Sequence, residues 1–247
     1  SLWIPTYAAF GAPVDAGQKV LQVDLTPLPG GPPQVVSTID LSTLPLHPFD
    51  GGTAIARPIG AVAHNGLVYV ALNNLDGNYS AAGPGTLARI DPVAKTATSI
   101  SLGATCLNAT DVLADSNNLY VLCGGNAILD ASFNVIANVS AGVALVNAPV
   151  DAGETISAIW NVSCPASVPD AGADAGCPIV FPVSIAQVGS RLYVGDAQAG
   201  RLFSVDVVGN QLVERRGYGN GSARPLNACP FVPNHSFTNV GSLVAPP

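Results

Sequence analysis

The chain holds three histidines, His47, His64 and His235. None stands at the His-x-x-x-His or Cys/His spacing that grips a zinc ion. His47 falls in a proline-rich stretch, His64 ends an apolar run and His235 lies beside proline and asparagine. Each reads as a turn or surface residue, not as a ligand or general base. The closest approach to Gly-x-Ser-x-Gly, GNGSARP from Gly219, misses the nucleophile-elbow pattern, and no Gly-x-x-x-x-Gly-Lys-Ser/Thr phosphate loop occurs. Carboxylates that could pair are Asp170 with Asp174, and a recurring set, Asp24, Asp91, Asp130 and Asp206. The loop pair lacks the ligand density of a calcium loop, and the recurring set has a sufficient role in closing turns. The sequence therefore nominates no catalytic residue, no metal and no cofactor. If the chain is an enzyme, His64, Asp111 and Asp196 are the groups to test first.

Five cysteines allow two disulfides and one thiol. Cys164 and Cys177 bracket a Pro/Gly-rich loop that a bridge would staple. Cys106 and Cys123 are the remaining candidates for a bridge, with Cys229 left unpaired. Such bridges suit an oxidising compartment. Sequons begin at Asn78, Asn108, Asn138, Asn161, Asn220 and Asn234. They fit either a glycosylated exterior or loops that are simply rich in asparagine, serine and threonine.

Charge narrows the partners further. A net charge of −7 lacks the basic footprint of a binder of nucleic acid or anionic membrane. No apolar run reaches the ~18 residues needed to span a bilayer, and SLWIPTYAAF is no signal peptide. With no methionine in the chain, the expectation is a processed product, extracellular or in the cell envelope.

The elements that must position these groups are strands. Charged residues make up 10% of the chain, against about 25% in ordinary globular proteins, too few for the outer faces of many helices. Twenty-six glycines and 21 prolines supply turns instead. Four segments share an apolar run with an aromatic in register: LWIP with Trp3, LVYV with Tyr69, LYVL with Tyr120 and LYVG with Tyr193. This placement predicts packing between repeats, not a ligand-stacking platform. Each is followed by a run ending in aspartate (KVLQVDL, GTLARIDP, NAILDAS, GRLFSVDV) and then by a third run (VVSTIDL, ATSISLG, VIANVSA, QLVERRG). Upstream of three aromatics stand RPIGAVAHNG from Arg57, NATDVLADSN from Asn108 and FPVSIAQVGS from Phe181. The first repeat lacks such a partner, and SFTNVGSLVA from Ser236 supplies one at the far end of the chain.

This pattern resembles β-propeller repeats of the YVTN and NHL kind, whose blades carry an apolar-aromatic-Val strand and a later Val-Asp turn. The resemblance is to a fold hosting many functions. It implies a single all-β domain over 1–247: a small β-propeller of about four four-stranded blades, closed by pairing N- and C-terminal strands so that no edge is left bare. Val143 to Val180 is expected to be a hairpin insertion, the alternative being a fifth blade that has lost its markers. Two functions are carried forward. One is a non-catalytic binding or assembly module that contacts other proteins or itself. The other is a lactonase- or lyase-like propeller enzyme with its site at the centre of one face.

Overall fold

A computed structural model describes residues 1–6, 17–26, 31–46, 55–75, 82–150, 152–162, 179–197, 201–215 and 223–225. All regular structure among them is β. The first sheet holds β1 (Leu2–Thr6), β2 (Lys19–Asp24) and β3 (Gln34–Asp40) in that order. The second holds β4 (Pro58–His64), β5 (Leu67–Leu72), β6 (Thr86–Asp91) and β7 (Thr96–Ser101), each paired antiparallel with the next. The third is built from β8 (Ala109–Ala114), β9 (Asn118–Cys123), β12 (Gly142–Asn147) and β13 (Thr155–Asn161). Between β9 and β12 the chain forms a separate two-stranded ribbon, β10 (Asn126–Leu129) with β11 (Val135–Val139). The fourth sheet is β14 (Pro182–Val188), β15 (Arg191–Asp196), β16 (Arg201–Val208) and β17 (Gln211–Glu214). Here β18 (Ala223–Pro225) shares the outer edge of β16.

Sequence pattern explains the order within each sheet. The second strands, LVYVAL and NLYVLC, are continuous apolar runs because both faces and both edges are covered. Outer strands such as TATSIS and QLVE alternate between exposed and half-buried residues, as one-sided strands do. Asn65 and Gly66, both at positive φ, form the two-residue turn that joins His64 to Leu67 and holds the β4–β5 register.

The sheets stack as blades about one line. β1 packs on β4, β4 on β8 and β8 on β14, so the first strands of successive sheets lie side by side. This is the all-β propeller arrangement read from the repeats. Apolar residues fill the spaces between blades. Tyr69, Leu87 and Val112 share one cluster spanning the second and third sheets, while Tyr120, Leu145, Leu192 and Phe203 share another spanning the third and fourth. Burying a large apolar side chain is worth about 1.5–3 kcal/mol, so these layers are what hold the blades together. The first sheet has three described strands, and β1 pairs with β2 alone among the described residues. The tail expected beside it, 236–245, lies outside them.

Two of the aromatic markers, Tyr69 and Tyr120, sit between blades and also carry polar ties. Tyr69 is buried, and its hydroxyl donates to Glu154 Oε1 at 2.5 Å; Arg89 Nε pairs with the same oxygen at 2.8 Å. The phenol is pushed up to about 12, chiefly by burial and then by the Glu154 carboxylate. Because this hydroxyl links the second blade to the third, Tyr69→Phe is expected to cost about 1.5 kcal/mol, read as a shift in urea midpoint at constant slope.

The third blade corrects an expectation. NAILDAS and VIANVSA do not complete it; they form the ribbon. The run beginning at Val143, expected as an insertion over 143–180, supplies all of β12 but its first residue and the whole of β13 within the blade itself. The reason is burial. Val143, Ala144, Leu145 and Val146 are fully buried between β9 and β13, whereas NAIL is half-exposed throughout. Residues 163–178 of that stretch, with Cys164, Cys177, Asp170 and Asp174, lie outside the described set, as does Cys229. Cys106 and Cys123 are bridged, with Cα atoms 5.2 Å apart and both residues buried.

Candidate functional site

A candidate site lies where the first strands of the blades begin. In three blades the residue just before the first strand lends its carbonyl to the chain leaving the second strand. Asn73 N–H donates to Arg57 O at 2.9 Å, Gly124 N–H to Asn108 O at 2.8 Å, and Ala197 N–H to Phe181 O at 2.9 Å. The three carbonyls do the same work in each blade, while the side chains at these equivalent positions differ: arginine, asparagine and phenylalanine. One residue further in, each first strand carries a β-bulge, between Pro58 and Ala61, Ala109 and Asp111, and Pro182 and Ser184. Bulges re-aim side chains at rims and sites. Here they set Gly60, Asp111 and Ser184 at matching positions.

Asp111 is the titratable member of that second set of positions. Its carboxyl is raised above the ordinary aspartate range by burial, opposed only in part by the Val112 N–H that donates to Oδ1 at 2.8 Å. Gly60 makes room for it: a Cβ there would fall 2.5 Å from Asp111 Oδ1 and 2.7 Å from its Cα. Ser184 Oγ is buried without a hydrogen-bond partner among the described residues. A folded value above the unfolded value of about 3.9 means that the native state binds this proton more tightly. The associated stability is complete below the unfolded value and is lost as pH rises through the folded one. Against Asp111→Asn, which keeps the Val112 contact, wild type is expected to lose urea resistance between pH 3 and neutrality. A midpoint difference that does not move with pH would contradict this.

The other two groups nominated for catalysis do not join it. Asp196 ends β15 at the same face, fully buried, and its Oδ1 accepts the Phe181 N–H at 3.0 Å, which places Phe181 at the mouth of the fourth blade. His64 is at the opposite end of β4, four residues beyond Gly60, which is roughly 13 Å along a strand. There its Nε2 lies 2.9 Å from Ala148 O, a structural tie. Among the described residues no three His, Cys, Asp or Glu side chains gather as a metal would need. His47 and His235 lie outside those residues.

Beside those first-strand positions opens a pocket of about 480 Å³. Its walls are Leu75 from the second blade, Asn108, Gly124 and Gly125 from the third, Phe181 from the fourth, and strand β10 of the ribbon. No titratable side chain is among these residues. Asn108 Oδ1 is buried and has no hydrogen-bond partner among the described residues. Asn138 on β11 clamps the ribbon over the pocket: it is fully buried, and its Nδ2 donates to Gly124 O at 2.8 Å and to Val180 O at 2.5 Å. Both amide hydrogens are thereby engaged inside the protein, so Asn138, one of the candidate glycan acceptors, is a buried clamp in this fold. Asn108 and Asn161 are half-buried; Asn78, Asn220 and Asn234 are outside the described residues. The pocket was not foreseen from sequence. Its one local signal is the pair Gly124-Gly125 after LYVLC, where Gly125 has φ +82 and a Cβ would strike Asn138 Oδ1 at 2.5 Å.

No known protein family matches the chain, and no curated protein matches it. Solved structures give low similarity. The GH43_1 enzyme from Xanthomonas citri complexed with xylose aligns at TM-score 0.40 and 13% identity, over 81% of this chain and 64% of its own. The same enzyme complexed with xylotriose aligns at 0.40 and 14%, over 80% and 65%. A putative 6-phosphogluconolactonase from Bacteroides fragilis aligns at 0.38 and 10%, over 87% and 65%. The chain thus spans less than two thirds of the length of each.

Proposed function

We propose that the chain is an extracytoplasmic binding or assembly module that works without catalysis, and that it docks its partner in the pocket beside β10. The observation carrying this reading is the pocket's lining, which among the described residues is amides, backbone, aliphatic side chains and one phenyl ring, with no acid, base or nucleophile. Such walls suit an uncharged group that brings apolar surface. The buried Cys106–Cys123 bridge is compatible with an oxidising location. No helix among the described residues could cross a membrane.

The test is a titration of isotope-labelled protein with toluene and phenylacetamide, followed by amide shifts. Shifts centred on Gly124, Gly125 and Asn126, and absent in Leu129→Asp, are expected. Leu129 is 49% exposed, so that change spoils the wall and spares the core. Shifts elsewhere, or none, would reject the site.

The raised carboxyl of Asp111 favours a second reading, a lactonase- or lyase-like enzyme using Asp111 as its acid. Turnover of a lactone panel by wild type but not by Asp111→Asn would establish it. Absence of turnover by both would remove it.

A further inference from the structure

The ribbon ends in an unusual tip. Phe133 is 84% exposed and sits at φ +63, a conformation that side chains other than glycine and asparagine rarely adopt. Solvent exposure and backbone strain both act against a phenylalanine here. The tip is nevertheless held firmly. Asp130 Oδ1 accepts the Ser132 N–H at 2.8 Å and the Asn134 N–H at 2.9 Å, and Asn134 Nδ2 donates to Oδ2 at 3.0 Å. Backbone bonds close the turn from both sides, Asp130 N–H to Asn134 O and Phe133 N–H to Asp130 O. These bonds, first those from Asn134, hold the Asp130 carboxyl below the usual range, so the tip's one charge is engaged within the turn.

The knob and the pocket belong to the same ribbon. β10 is a pocket wall, and Phe133 lies four residues beyond its end, pointing into solvent instead of back into that cavity. A surface carrying a knob next to an uncharged hole is complementary to itself. A two-fold axis then lets each copy fill the other's hole, which is the isologous contact of symmetric dimers. Neither the described residues of the pocket wall nor the phenyl group brings a charge that the contact must desolvate.

Accordingly, we infer that this chain pairs with a second copy of itself by reciprocal insertion of Phe133 into the pocket lined by Leu129, Gly124 and Phe181. The inference rests on the pocket reading above and names its occupant. Aromatic anchors seated in pockets are typical carriers of binding energy at such contacts.

Sedimentation analysis of the full chain across micromolar concentrations tests it. Wild type is expected to dimerise, and Phe133→Asn and Leu129→Asp each to be monomeric, their dissociation constants raised at least 30-fold. Phe133→Asn suits the positive φ, so its thermal midpoint should not fall below that of the Leu129→Asp monomer, which separates loss of pairing from loss of folding. An equimolar mixture of the two variants retains one intact knob and one intact hole. It is expected to recover a heterodimer weaker than the wild-type dimer. A wild type that stays monomeric, or a Phe133→Asn variant that still dimerises, overturns the inference. Toluene shifts at Gly124 to Asn126 in a monomeric wild type would do so too, while leaving the pocket reading intact.

Discussion

Gly142→Ala is expected to destabilise the protein by about 4 kcal/mol or more, at the extreme end of what single substitutions do. Gly142 opens β12 and is paired on both sides, with Cys123 of β9 and Asn161 of β13. A methyl group there would run into the Trp160 carbonyl oxygen and lie 3.0 Å from the Asn161 Cα. These are backbone atoms of a paired strand, so no side-chain rotation relieves the clash. The strand must move, and with it Trp160, whose ring meets Phe203 edge-on at 5.7 Å and whose indole N–H donates to Glu214 at 3.3 Å. Urea unfolding followed by tryptophan fluorescence reads the loss. A change below about 1 kcal/mol would mean that β12 does not hold this place in the blade.

Cys106→Ser ranks second, at about 3 kcal/mol for opening a loop of this length. Cys106 lies in the connection between the second and third blades, 17 residues before its partner at the end of β9. The bridge therefore ties the incoming chain to the finished strand. Gly85 packs directly against it, since a Cβ there would lie 2.7 Å from Cys106 O and 2.9 Å from Sγ. At roughly 2–4 °C per kcal/mol for a chain of this size, the variant is expected to melt about 6–12 °C lower. Wild type treated with reductant should fall by a similar amount. Equal melting of the variant and the untreated wild type would show that the bridge does not form.

Most of the blade plan was legible because it is written in local patterns. RPIGAVAHNG, LVYV, GTLARID and ATSIS read correctly as four successive strands, since their burial alternates or saturates as each position in a sheet requires. The third blade misled for a physical reason. Asp130 closes the β10–β11 turn much as Asp91 does after β6: each accepts the N–H two residues ahead at 2.8 Å and a second one just beyond, from Asn134 and Ala94 respectively, at 2.9 Å. The local signal is alike in the two places. What separates them is which run claims the free edge of β9, and that is a competition between distant segments won by the more apolar GVALVN. Asp206 shows the converse. It carries the marker position, yet spends its carboxylate on Arg191 at 2.7 Å and Arg215 at 2.6 Å across the sheet. The pocket was illegible because its walls come from three blades and a ribbon, and no segment of sequence contains more than part of it.

The ribbon between β9 and β12 also bears on how the chain finds its fold. Without it, Cys123 and Gly142 would have to meet by closing an open loop, with the entropy of every intervening residue opposing the encounter. The pairing of Asn126 with Val139 and of Ala127 with Asn138 zips that loop from its tip, delivering the two strand ends as neighbours. Hairpins form in about 1–10 μs, far sooner than distant strands assemble. Easing the tip with Phe133→Asn is therefore expected to quicken refolding in stopped-flow measurements and to leave the unfolding limb of the chevron nearly unmoved, the mark of a nucleus already built at the barrier.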